Sequence, residues 1–153
     1  MKLLHVTYAS DAGYLPYLAV ALGSAFLRAS APSRLVVDVL ALGIDDAEWE
    51  KWLAEVVPHL PKGAKIRRYD VDAGLFKNYK SWHGSFATYA RLMLPDILAD
   101  VDWCVYADVD TLFTDDPLKL VAFEDDRYSM RGRREYPFKD LVAKGNWFKE
   151  RNL

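Results

Sequence analysis

The chain has 153 residues, 52% hydrophobic and 27% charged, a balance that suits one globular domain with its own core. Its formal net charge of −2 offers no electrostatic footing for nucleic acid, and no apolar run is long enough to cross a bilayer. The N-terminus carries no signal-peptide pattern, and the single cysteine, Cys104, sits inside an apolar run. A cytoplasmic protein is therefore the expectation, with peripheral association to the inner membrane left open.

Leu3–Tyr8 reads as a first strand, followed by a small-residue turn, Ala9-Ser10-Asp11-Ala12-Gly13-Tyr14. Leu15, Leu18, Ala19, Leu22 and Phe26 then recur at helical spacing, with Pro16 in the first turn, where its missing N–H is harmless. Leu35–Leu42 is a second strand, apolar throughout except at Asp38, as in a sheet covered on both faces. Asp45-Asp46-Ala47-Glu48 looks like a capping box, with Asp45 as the cap and Glu48 reaching back. Trp49, Trp52, Leu53 and Val56 form the stripe of the helix it opens, which Pro58, Pro61 and Gly63 end. Lys65–Val71 is a more polar third strand, nearer an edge.

Asp72–His83 reads as a loop. Ser85 can cap a third helix with Phe86, Tyr89, Ala90, Met93 and Ile97 on one face, kinked or ended by Pro95 near Leu94. Trp103–Ala107 is a fourth strand, aromatic and β-branched. A short helical turn follows Asp115-Asp116-Pro117. Arg127–Met130 reads as a further strand, and Phe138, Leu141 and Val142 as a last helix. The alternation of strands and helices argues an α/β fold with a mostly parallel sheet flanked by helices. Ligands in such sheets lie outside the carboxyl ends of the strands.

The fourth strand leads into Asp108-Val109-Asp110. In an extended chain residues i and i+2 share a side, so both carboxylates can project together. Hard oxygen ligands suit Mg²⁺ or Mn²⁺, and such a cation with open positions would bind a diphosphate. The plain alternative is a strand ending in a solvated acidic turn. Tyr14 offers a flat apolar face for a base, or half-buried helix packing. Asp11 offers carboxylate oxygens as acceptors for a ligand, or a turn and capping role. Arg91 lies off the apolar stripe of its helix, as an exposed arginine would. His5 reads as a strand residue and His59 as part of a solvated turn, while His83 is a loop residue. Arg127, Arg131, Arg133 and Arg134 form a basic cluster that reads as a solvated loop, or as a site for an acidic acceptor.

Two stretches together resemble glycosyltransferase family 8, the group of the lipopolysaccharide galactosyl- and glucosyltransferases and glycogenin. One is His5-Val6-Thr7-Tyr8-Ala9-Ser10-Asp11-Ala12-Gly13-Tyr14-Leu15. The other runs from Phe86-Ala87-Thr88-Tyr89-Ala90-Arg91-Leu92 through Leu94-Pro95-Asp96 to the aspartates. The resemblance implies a Rossmann-like GT-A fold and a metal-dependent, retaining transfer of a hexose from a UDP-sugar, UDP-glucose or UDP-galactose. The acceptor it implies is a glycan, a lipopolysaccharide or a protein. Asp108 and Asp110 match the D-x-D that holds Mn²⁺ or Mg²⁺, with Val109 between them. Ala9, Ser10, Asp11 and Tyr14 match the loop that holds uridine, and Arg91 an arginine facing the donor's phosphate or sugar.

Departures from the family pattern are specific. Gly13 stands where an asparagine is common, and Gly84 where a bulkier apolar residue meets the base. The family's H-x-x-G-x-x-K-P-W motif, whose histidine completes the metal site, is absent from this sequence. The expectation is a single domain over 1–153, the nucleotide-sugar-binding portion of a GT-A enzyme, incomplete or inactive alone. Its apolar edge and face would be covered by a missing C-terminal half or by an oligomer. The competing reading is a non-catalytic nucleotide-binding or interaction module derived from that domain. No catalytic nucleophile is assigned.

Overall fold

A computed structural model describes residues 2–81 and 85–123. Four strands form one sheet: β1 (Leu4–Asp11), β2 (Leu35–Leu42), β3 (Lys65–Val71) and β4 (Cys104–Tyr106). Their order is β3-β2-β1-β4, and every neighbouring pair is parallel. The chain thus builds outward from β1 to β3 and then returns to the other side of β1. Strand order reverses between β1 and β4, which makes that crevice the sheet's topological switch point. The parallel α/β sheet expected from the alternation is present.

Parallel pairing puts matched residues on one face. Leu4, Val6 and Tyr8 of β1 face the same way as Leu35, Val37 and Val39 of β2, and all are buried. On them packs α1 (Leu15–Arg28), which buries Leu15, Leu18, Ala21, Leu22, Ala25 and Phe26. Beside it lies α2 (Asp46–Val56), which contributes Trp49 and Trp52. The Trp52 indole N–H donates to the carbonyl of Leu15 at 2.9 Å, so α2 also fixes the start of α1. Asp45 caps α2 as expected, its Oδ1 accepting from the Glu48 N–H at 2.7 Å.

The opposite face carries a smaller apolar cluster: Ala9, Leu40, Leu42, Val71, Phe76 and Ala90. The third helix covers it in pieces. It runs as α3 (Ala87–Ala90), a 3₁₀ turn (Arg91–Met93) and α4 (Leu94–Ile97). Pro95 occupies the first turn of α4, so the expected break at Leu94 is present. Phe86, Tyr89, Met93 and Ile97 all pack inward. Phe76, Tyr79 and Tyr89 pack ring on ring, 5.1–6.3 Å between centroids, and tie the preceding loop to α3.

Two boundaries differ from the sequence reading. β1 runs on through Ala9, Ser10 and Asp11, which had read as a turn. Their pairing with Leu40, Ala41 and Leu42 holds them extended despite their small, polar character. β4 is shorter than expected, ending at Tyr106, and its residues are only half buried. A shallow apolar cavity of about 700 Å³ lies beside α1, walled by Val20, Leu27, Val56, Leu60, Leu112 and Phe113. No helix among the described residues is long and apolar enough to cross a membrane. The expected strand at Arg127–Met130, the last helix, the basic cluster, His83 and Gly84 lie outside the described residues.

Candidate functional site

At the crevice between β1 and β4 lies a cavity of about 340 Å³. Ala9 and Tyr14 line it from the end of β1, and Ser85, Ala87, Thr88 and Arg91 from the α3 region. Tyr106, Asp108, Val109 and Asp110 close it from β4 and the residues after it. Six of the eight residues singled out by sequence therefore share one cavity. Ser10 does not line it: its side chain is fully buried, and its hydroxyl donates to the Asp11 carbonyl at 2.9 Å. Strand alternation explains this, since Ser10 points to the face opposite Ala9 and Asp11. Asp11 itself stands at the cavity's border, and its Oδ2 accepts from the Ser85 hydroxyl at 2.5 Å.

The aspartate pair is presented by a turn rather than by an extended strand. The strand stops at Tyr106, and the Ala107 N–H still donates to the carbonyl of Thr7 at 3.0 Å. Asp108 then accepts through its carbonyl from the Thr111 N–H at 3.0 Å and the Thr111 hydroxyl at 2.6 Å. The chain beyond is pinned to α1 by the Phe113 N–H, which donates to Ser24 Oγ at 2.9 Å. Both aspartates line the cavity from that turn.

Arg91 is not a free surface arginine. Its Nη2 meets Asp108 Oδ1 at 3.0 Å, and its Nε donates to the Thr88 carbonyl at 2.8 Å. Nη2 also donates to Thr88 Oγ1 at 3.0 Å, and the guanidinium lies 4.3 Å from the centre of the Tyr106 ring. The Thr88 carbonyl and hydroxyl together with an aromatic face therefore fix its direction. Burial pushes the Tyr106 phenol up to about 12, against the opposing pull of Arg91, so it stays un-ionised at neutral pH. Tyr14 is 39% exposed and leans on Tyr17, 5.6 Å between centroids, leaving ring surface toward the cavity.

Among the described residues no group of three His, Cys, Asp or Glu side chains gathers as a metal centre. Two carboxylates fit a hard cation only where phosphate oxygens and water supply the other ligands, which is how Mg²⁺ commonly sits on proteins. The donor set thus suits a cation that arrives with a diphosphate. Tyr106, Thr88 and Ser85 escaped the sequence reading as site residues. For Tyr106 a signal existed: it lies two residues before Asp108 at the end of the strand. The partnership of Ser85 with a residue 74 positions away left none.

The parallel sheet with its cavity at the β1/β4 switch point has the architecture of a GT-A glycosyltransferase. The sequence model described as Glycosyl transferase family 8 matches residues 5–153, and the chain belongs to that family. Among solved structures it is similar to the galactosyltransferase LgtC in complex with donor and acceptor sugar analogues. The two are 32% identical with a TM-score of 0.65, over 76% of this chain and 41% of that one. An active-site mutant of LgtC, Q189E, gives 31% identity, the same TM-score of 0.65 and the same coverage of 76% and 41%. The bifunctional enzyme WbbM shares the fold at 21% identity and a TM-score of 0.63, over 79% of this chain and 21% of that one. The chain spans about 41% of the length of the LgtC chains. No curated protein sequence matches it.

Proposed function

We propose that this chain is the nucleotide-sugar-binding portion of a metal-dependent glycosyltransferase that moves a hexose from a UDP-sugar to a glycan-type acceptor with retention. The observation that carries the reading is the cavity at the switch point, whose lining includes Tyr14, Arg91, Asp108 and Asp110. Membership of glycosyl transferase family 8 and the similarity to a galactosyltransferase support the same reading.

The residues divide the work. Tyr14 offers its ring face to the uracil, and Asp11 offers carboxylate oxygens to a base N–H or ribose hydroxyl. Arg91, held by Thr88 and Tyr106, turns a fork of donors toward a phosphate. Asp108 and Asp110 hold Mn²⁺ or Mg²⁺. When bound, the cation supplies stabilisation for the negative charge that grows on the departing diphosphate. Val109 and Ala9 line the same cavity with apolar side chains.

Calorimetry of UDP with and without Mn²⁺ tests this. Mn²⁺ should strengthen UDP binding in the parent, and Asp110→Ala should lose that enhancement. Binding that ignores the metal would defeat the proposed role of the aspartates. Transfer from UDP-glucose or UDP-galactose by these 153 residues alone should stay near background. The reason is the donor set: each missing ligand or supporting group costs about 10–100-fold in affinity or activity. Brisk turnover would overturn that part and show that no further ligand is needed.

A further inference from the structure

We infer that Ser85 is a positioning residue that sets the Asp11 carboxylate for recognition of the nucleobase. The inference rests on the proposed binding of a uridine nucleotide in the switch-point cavity. Ser85 lines that cavity, and its hydroxyl makes two bonds. It donates its only proton to Asp11 Oδ2 at 2.5 Å and accepts from the Ala87 N–H at 3.1 Å. The accepting bond caps the first turn of α3. The donating bond ties the segment just before α3 to the end of β1.

A hydroxyl has one proton to give, so its direction is fixed once Ala87 donates to the oxygen. The backbone from which the Asp11 carboxylate extends is held as well, because the Ser10 hydroxyl donates to the Asp11 carbonyl at 2.9 Å. With Oδ2 occupied, Oδ1 is the oxygen left for a ligand. It faces the turn of Gly13: a Cβ placed on Gly13 would stand 3.5 Å from Oδ1. Gly13 precedes Tyr14, whose ring lines the same cavity. In the proposed pose a base stacked on Tyr14 turns its edge to this oxygen.

The chemistry then selects among bases. An ionised carboxylate oxygen only accepts, so it pairs with the imide N–H of a uracil-type base. The ring nitrogen of cytosine in the same place is itself an acceptor and is repelled. Without Ser85 the carboxylate would turn freely into solvent, and the preference would fade even though Asp11 remained.

The test is calorimetry of UDP and CDP, each with Mn²⁺, on the parent, Ser85→Ala, Ser85→Thr, Asp11→Asn and the double variant Ser85→Ala/Asp11→Asn. Ser85→Ala should lower UDP affinity about tenfold, as expected for a lost bond to a charged group. CDP affinity should change by less than about twofold, so the ratio between the two nucleotides collapses. Ser85→Thr keeps the hydroxyl and should restore the ratio. In the double variant the Ser85 change should add nothing to Asp11→Asn, because it acts through that residue. Equal losses for UDP and CDP, or full additivity in the double variant, would reduce Ser85 to a helix cap and overturn the inference. Should Ser85→Ala not fold, Ser85→Thr decides: a parental ratio sustains the inference and a lost one overturns it. A parent that binds neither nucleotide defeats the proposed function itself, an outcome distinct from any change at Ser85.

Discussion

Asp38 and Asp108 each meet an arginine, and the two pairs do opposite work. Asp38 is fully buried in β2, with Oδ1 on Arg67 Nε at 2.5 Å and Oδ2 on His5 Nδ1 at 2.7 Å. It joins three neighbouring strands, β1, β2 and β3, on the face opposite α1. Both carboxylate oxygens are satisfied, which is the condition for keeping a charge inside a protein. Asp108 has a side chain 55% exposed and shares only Oδ1 with Arg91, whose side chain is 38% exposed. Its pair is solvated and can open. A charge with every partner supplied by the fold is committed to the fold. A charge left with spare oxygens beside a cavity is available to a ligand.

The largest effect that could break this contrast is on stability. Asp38→Ala should destabilise toward the lower end of about 3–5 kcal/mol, because Arg67 can still reach water once its partner is gone. Asp108→Ala should cost less than about 1 kcal/mol, as for exposed pairs. Urea unfolding midpoints of the two variants give the comparison directly. Equal shifts would mean that the site pair is as structural as the buried one.

Next comes the alkaline limb. Burial raises Tyr106 from 10.0 to about 12, so folding favours its neutral phenol. Its contribution is fully present below pH 10 and is lost as pH rises from 10 through about 12, because the unfolded chain releases that proton first. Ultraviolet titration of the folded protein should show Tyr106 ionising late, and Tyr106→Phe should flatten the loss of stability over that window. A phenol titrating near 10 would mean that Arg91 and water reach it more freely than the packing implies.

Much of this was legible from the chain. Apolar runs alternating with helical stripes gave the parallel sheet, while Asp45 and Pro16 marked helix starts and Pro95 a break, by chemistry that acts within a few residues. The errors came where partners lie far off in sequence. Ala9, Ser10 and Asp11 are poor strand formers, yet pairing with β2 keeps them extended and sends Ser10 to the wrong face for a ligand. Asp38 stood out as the lone polar residue of its strand, but Arg67, 29 positions away, could not be read as its partner. Asp108 and Asp110 were found as a pair, while the turn that presents them depends on Thr111 and on the anchoring of Phe113 to α1.

A smaller effect separates attraction from competition at the site. Arg91 holds its charge against Oδ1 of Asp108, one of the two proposed metal ligands. Removing it should free Asp108, so Arg91→Ala should raise Mn²⁺ affinity in the absence of nucleotide by about 3–10-fold. The same variant should weaken UDP binding in the presence of Mn²⁺, since the phosphate loses a donor. The two changes have opposite signs, and calorimetry with and without UDP reads both. Weaker metal binding in both conditions would mean that Arg91 orients Asp108 rather than competing for it.

The smallest expected effect tests how the exposed pair is aimed. Thr88 accepts from Arg91 twice, through its carbonyl at 2.8 Å and its hydroxyl at 3.0 Å. Thr88→Val keeps the carbonyl and the branched shape and deletes only the hydroxyl bond. Tyr106 still supports the guanidinium from one side, 4.3 Å from ring centre to charge. UDP affinity with Mn²⁺ should therefore fall only about two- to threefold, and stability should move by less than about 1 kcal/mol. A loss of tenfold or more would place the hydroxyl itself on the nucleotide. No change at all would mean that the carbonyl and the aromatic face are enough to aim Arg91, and that the hydroxyl serves the unliganded pair alone.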